Sequence, residues 1–212
     1  MMDAFLQTER LLLRQFTSSD AGRLVQLDAD PRVMRFITGG PPEFSAHEVE
    51  SEVLPAYLDY YRRGSRYGFW AVDERRTGEF VGWFHLRPAP DAPEDRPELG
   101  YRLRQASWGR GYATEGSRAL IDKGFTELGV ERIEASTMVI NTASRRVMEK
   151  AGMRLIRRFV ADWPVAIPGD EHGDVEYAIT RQEWAAAESG PLKNVDSPKE
   201  DSNADPEPSH HR

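Results

Sequence analysis

The 212-residue sequence predicts an α/β (α+β) fold: one mixed sheet with helices on both faces. Strand-like and helix-like runs alternate along it in the order β-α-α-β-β-β-α-β-α-β-β. Two glycines, Gly109 and Gly111, sit where a strand-like run gives way to a helix-like one. A hydrophobic share of 39% supplies one sizeable core, and the lengths suit a single domain over residues 1–187.

Each element has its own signal. The leucine-rich run Thr8 to Phe16 reads as a buried first strand. Ser18, Ser19 and Asp20 are helix-start residues for a short helix over Ala21 to Leu27. Ser45 with Glu48 three residues on has capping-box spacing, and it opens a helical stretch to Arg63 that Pro55 must break or kink. Tyr67 to Asp73 and Glu79 to Arg87 are strands joined by a turn at Thr77-Gly78. Pro88 to Pro97 holds four prolines in ten residues, so it is an irregular loop before a strand over Glu98 to Arg104. Ala113, Gly116, Leu120 and Phe125 give the next helix its apolar face, and Gly129 ends it. Arg132 to Ile140 is a strand, and Asn141 caps a helix that runs to Lys150 and stops at Gly152. Met153 to Val160 and Val175 to Thr180 are the last strands, followed by a closing helix over Arg181 to Ala187. Residues 188–212 are rich in Pro, Ser, Asp and Glu and hold no aromatic residue, so a disordered tail is expected, with His210 and His211 solvated.

Composition narrows the function. The chain has no cysteine, which excludes disulfides, cysteine-ligated zinc and a cysteine nucleophile. A formal net charge of −7 argues against general nucleic-acid binding. No apolar run approaches membrane-spanning length, and Met1 to Phe5 is not a basic-then-apolar leader, so a cytoplasmic protein with no membrane partner is expected.

The Gly109–Gly111 turn is where chemistry is expected. Paired glycines bring the backbone close to a ligand, and the first amides of the following helix have no partner inside it. The helix dipole makes that end partly positive, so its natural guest is a phosphate or pyrophosphate. The block Asn141-Thr142-Ala143-Ser144-Arg145-Arg146-Val147-Met148-Glu149-Lys150-Ala151-Gly152-Met153 strengthens the reading.

Together with Thr8-Glu9-Arg10-Leu11-Leu12-Leu13-Arg14 and Trp108-Gly109-Arg110-Gly111-Tyr112-Ala113-Thr114-Glu115, that block resembles the GNAT superfamily of acyl-CoA-dependent N-acyltransferases. The closer likeness is to the RimJ/RimL-like branch of ribosomal-protein N-terminal acetyltransferases, over residues 5 to 187. The resemblance implies a mostly antiparallel central sheet and acetyl-CoA as acyl donor, with no metal. It implies that backbone amides of Gly109, Arg110, Gly111, Tyr112, Ala113 and Thr114 hold the pyrophosphate, with the Thr114 hydroxyl adding a bond. The Gln or Arg usual three residues before the first glycine is Ala106 here.

The resemblance also assigns roles. Asn141 contacts the pantetheine or nearby backbone, or serves as a plain helix cap. The tyrosine that many members use to protonate the leaving thiolate is replaced by Met148, which donates nothing. Ser144 is then the candidate donor or thiolate stabiliser, against a serine bonded back to its own helix. Backbone at Arg102 and Leu103 polarises the thioester carbonyl. Glu98 is the candidate base for the amine proton, with an amine-binding carboxylate as the alternative reading. His85 is the rival base, since its ordinary pKa lies near neutrality. Trp83, Phe84, Tyr101 and Trp163 are read as core aromatics. The implied acceptor is a primary amine, on a protein N-terminus or a small molecule, acted on by a monomer or homodimer. Met148 also admits a different class, a catalytically silent acyl-CoA-binding or regulatory domain.

Overall fold

A computed structural model describes residues 4–64, 66–89, 92–161 and 166–189. The tail beyond residue 189, its histidine pair and Trp163 lie outside the described residues.

The expected fold class is the observed one. Among the described residues, eight strands form one sheet in the order β1-β2-β3-β4-β5-β6-β8-β7. They are β1 (Ala4–Gln7), β2 (Leu11–Arg14), β3 (Gly68–Glu74), β4 (Phe80–Arg87), β5 (Glu98–Leu103), β6 (Arg132–Met138), β7 (Arg154–Phe159) and β8 (Asp174–Thr180). Every neighbouring pair is antiparallel except β5 with β6.

The sheet has a core on each face, set by alternation along its strands. On β3, Trp70 and Val72 face one way and Phe69 and Ala71 the other. The first side packs against helix α5 (Tyr112–Thr126), whose Leu120, Ile121 and Phe125 are buried, and against Met148 of helix α6 (Thr142–Lys150). The second side packs against Ala21, Leu24 and Leu27 of helix α1 (Ala21–Asp28) and Leu54 of helix α4 (Leu54–Arg62). Gly116 lets α5 lie close on the sheet, since a Cβ there would stand 2.5 Å from the Phe84 ring. Short helices α2 (Pro31–Met34) and α3 (Ala46–Glu48) and the last helix α7 (Arg181–Glu188) are the remaining α-helices among the described residues.

Some elements differ from expectation. The single strand expected over Thr8 to Phe16 is the hairpin β1–β2, paired antiparallel and turning at Thr8 to Arg10. Thr8 makes that turn: its hydroxyl accepts the Leu11 N–H at 2.9 Å, and it donates to Glu115 of α5 at 2.5 Å. The stretch after Ser45 has the expected capping box, but it passes through a π-helical turn at Val49–Val53 between α3 and α4. The Leu54 N–H bonds back five residues to the Val49 carbonyl, which seats Pro55 in the first turn of α4. Strand β6 ends at Met138, two residues earlier than expected.

Candidate active site

The site opens where β5 and β6 part. These parallel strands are in register at one position, Glu98 opposite Glu134, where the Glu134 N–H donates to the Pro97 carbonyl at 3.1 Å. Beyond it a cleft of about 950 Å³ separates Leu99 to Leu103 from Ala135 to Met138. A strand edge not paired to its neighbour presents backbone donors and acceptors to whatever enters. Leu103 uses one of these groups: its carbonyl accepts the Trp108 indole N–H at 2.9 Å.

The polar end of the cleft is the start of α5. Gly109 and Gly111 have φ of +71° and +81°, the left-handed region that glycine enters without strain. The first helical bond runs from the Glu115 N–H to the Gly111 carbonyl at 3.0 Å. The amides of Tyr112, Ala113 and Thr114 therefore have no helical acceptor. The turn is braced from behind. Glu115 accepts from Thr8 and from the Arg10 backbone, and Arg10 donates to the Arg110 carbonyl at 2.8 Å. Arg110 and Tyr112 both reach Glu74, at 3.0 and 2.7 Å, and hold its carboxyl below the usual range, with the Tyr112 hydrogen bond the larger effect. Gly109, Gly111, Ala113 and Thr114 line the cleft; the Arg110 side chain is spent on Glu74, so backbone is what Arg110 offers.

Asn141 caps α6 and is committed at both ends of its amide. Its Oδ1 accepts the Ser144 N–H at 3.3 Å, and its Nδ2 donates to the Thr137 hydroxyl of β6 at 3.0 Å. One turn on, the Ser144 hydroxyl faces the Tyr101 hydroxyl of β5 across 3.4 Å, a long separation for two hydroxyls. Met148 is buried in the same wall. Tyr101 therefore belongs to the cleft as well as to the core, a place that an aromatic residue in a strand does not announce by itself. Burial raises its pKa, against the Ser144 hydrogen bond, so it stays a protonated donor. Phe84, its cross-strand neighbour, is core as expected, while Trp83 lines the cleft from the other face.

That other face of β4 and β5 carries the polar floor. Register places Trp83 opposite Arg102, His85 opposite Gly100 and Arg87 opposite Glu98. Glu98 is half-buried, and burial raises its pKa; Arg87 opposes the rise and Glu134 adds to it. His85 is 8% exposed and stacks on Phe69, with ring centroids 5.2 Å apart. Burial, with Arg87 and Arg102 adding to it, pushes its pKa down to about 3, so the ring is neutral and a weak base. A Cβ on Gly100 would stand 2.0 Å from His85 Nε2, so glycine at 100 is what lets the ring overlie β5. Arg102 is held by Asp28 at 2.6 Å and Glu43 at 3.3 Å. Among the described residues, no group of three or more His, Asp or Glu is placed to hold a metal, and no helix is long and apolar enough to cross a membrane.

A strand pair parted over a glycine-rich helix start is matched by comparison. Residues 10–154 fit the acetyltransferase (GNAT) domain model. The chain belongs to the GNAT family of acetyltransferases. A relative from Aspergillus fumigatus, named an FsC-acetyl coenzyme A-N(2)-transacetylase, is 36% identical over 187 residues, covering 84% of this chain and 77% of that protein. A GNAT-family acetyltransferase structure from Bacillus anthracis superposes with a TM-score of 0.69 at 27% identity, over 84% of this chain and 98% of that one. A RimL ribosomal L7/L12 α-N-protein acetyltransferase bound to coenzyme A superposes at 0.68 with 19% identity, over 84% and 98%, and shares the fold alone. This GNAT domain is thus an acyltransferase of the N-acetyltransferase type.

Proposed function

We propose that this chain transfers an acetyl group from acetyl-CoA directly to a primary amine, on a protein N-terminus or a small molecule. The observation that carries the reading is the placement of polar groups about the unpaired edge of β5. Glu98 lies on one face of that strand, and Tyr101 with Ser144 on the other. A thioester carbonyl held along this edge meets an amine from the Glu98 side and releases its thiolate on the Tyr101–Ser144 side.

The pyrophosphate sits on the amides at the start of α5, where unpartnered N–H groups and the helix dipole act together. The pantetheine runs down the cleft past Asn141. The Leu103 N–H, which faces the cleft, polarises the carbonyl, while the Arg102 N–H is turned to Trp83 of β4. Glu98 takes a proton from the amine, directly or through one water, and its raised pKa brings it nearer the working pH. The amine nitrogen bonds to the carbonyl carbon, the carbon–sulfur bond breaks, and the sulfur takes a proton from Ser144 or Tyr101, replenished from water. His85 is disfavoured as the base, since a ring with pKa about 3 seldom holds a proton near neutrality.

The 36% identical relative is named for acetyl transfer at an N(2) position, and RimL as a ribosomal L7/L12 α-N-protein acetyltransferase. The RimJ/RimL-like branch assignment rests on the motifs in the sequence. The test is release of free thiol from acetyl-CoA with a panel of amines, with product confirmed by mass. Turnover on at least one primary amine is expected. Tight CoA binding with no turnover on any amine would make the chain a silent binding domain.

A further inference from the structure

The polar floor beside Glu98 holds groups that the acyl-transfer step leaves unused. Arg87 stands opposite Glu98 in the strand register, yet the two do not form an ion pair. Among the described residues no carboxylate comes within 4.0 Å of the Arg87 guanidinium, whose one hydrogen bond is a 3.5 Å contact to the Pro88 carbonyl. Its Nε is buried without a partner. His85, more than nine-tenths buried, lines the same floor, and its Nδ1 is also without a partner. Arg102 differs: two carboxylates neutralise it, and its Nε alone is left over. A buried donor left unpaired costs the full desolvation of the group. Here the unpaired groups cluster at the place where an acceptor amine must dock.

Resting on the function proposed above, we infer that this floor recognises an amine with a carboxyl or carbonyl oxygen on the carbon next to the nitrogen, the amino–carbonyl unit of amino acids and peptide N-termini. Glu98 receives the nitrogen. Arg87 bonds the oxygen, and the neutral His85 ring supplies a second contact over Gly100. The separation of Glu98 from Arg87 is what makes this complementary. Two charges facing one cavity without neutralising each other fit a group that is positive at one end and oxygen-bearing at the other. A polyamine offers nothing to Arg87 and brings its second cation toward it.

The test measures kcat/KM for an amino acid, the matching amino acid amide, an alkylamine and a polyamine, each corrected for its neutral-amine fraction. The wild-type protein is expected to prefer the amino–carbonyl acceptors by about tenfold or more, the scale of one charge-assisted hydrogen bond. The amino acid and its amide separate recognition of a carboxylate from recognition of a carbonyl. Arg87→Met keeps the apolar stem and should collapse the preference ratio at least tenfold, with Arg87→Lys restoring part of it. A measurement free of variants uses products: the N-acetylated amino acid amide should compete with acceptor at lower concentration than an N-acetylalkylamine. Equal or better use of the alkylamine or polyamine, or an unchanged ratio in Arg87→Met, would overturn the assignment while leaving acyl transfer intact. No turnover on any of the four amines, with CoA still bound, would instead count against the function itself.

Discussion

Glu98 and His85 are close in the site but opposite in electrostatic response. Burial raises the pKa of the first and lowers that of the second, because desolvation always favours the neutral form. Two outcomes follow for Glu98→Gln. Losing a general base costs about 10²–10⁴-fold in kcat. The loss should shrink as pH rises, since more of the acceptor amine is already neutral. CoA affinity by calorimetry should stay within twofold. Wild-type turnover in Glu98→Gln across the pH range, with chemistry rate-limiting, would remove the base role. The stability effect has its own sign. A carboxyl whose folded pKa lies above its unfolded value binds protons more readily when folded. Its favourable contribution is present at acidic pH and is lost as pH rises through the two values. Glu98→Gln should therefore melt at a higher temperature than wild type at pH 8, and the gain should vanish near pH 4. On the opposite face of β5, Tyr101→Phe and Ser144→Ala should each lower kcat by less than Glu98→Gln, because water can protonate a thiolate. Since either hydroxyl can serve the one sulfur, the double variant should lose more than the product of the single losses. Multiplicative losses would show that they act apart.

At the scale of elements, the start of α5 is the feature that the sequence announces and the structure explains. Gly111 has a φ of +81°, and a Cβ there would approach only Arg10 Nη2, at 3.3 Å. Gly111→Val strains this turn and places a branched side chain beside the free amides. CoA affinity by calorimetry should fall more than tenfold, while far-UV circular dichroism keeps the native spectrum. Unchanged affinity in the folded variant would remove the pyrophosphate assignment. Legibility varied by element for physical reasons. Caps and glycine stops are local chemistry, so the Ser45 box, the Asn141 cap and the left-handed Gly152 were readable. The β1–β2 turn was not: part of what fixes Thr8 is Glu115, more than a hundred residues away. The same holds for Tyr101, whose partner Ser144 lies on another element, and for Arg87, whose meaning comes from an ion pair that it does not make. The π turn before Pro55 showed only as a break, because proline forbids continuation without dictating which irregularity replaces it.

The whole molecule is a sheet with a seam. Strands β1 to β5 and strands β6, β8 and β7 meet at the single register position Glu98–Glu134. Other links across the seam lie near the same end, where the Glu131 and Arg132 amides reach the Asp95 carbonyl at 3.0 and 3.2 Å. Helix α5 packs against β4 and β5 and also against α6, so it holds the two parts together where the strands do not. A CoA molecule laid in the cleft would supply hydrogen bonds to edges that the strands leave unpaired. This predicts a coupling between ligand and local opening. The seam-facing amide hydrogens of Tyr101, Leu103, Ser136 and Met138 should exchange faster than those in β3 and β4, which are paired on both sides. Saturating CoA should slow exchange along the seam and at the start of α5, with little change in β2 or β3. Global stability should rise with ligand concentration, by about 2.7 kcal/mol at a hundredfold excess over Kd. Protection confined to the start of α5, with the seam unchanged, would mean that the ligand binds the amides without entering between the strands. Glu98 and Ser144 would then be too far from the thioester to act on it.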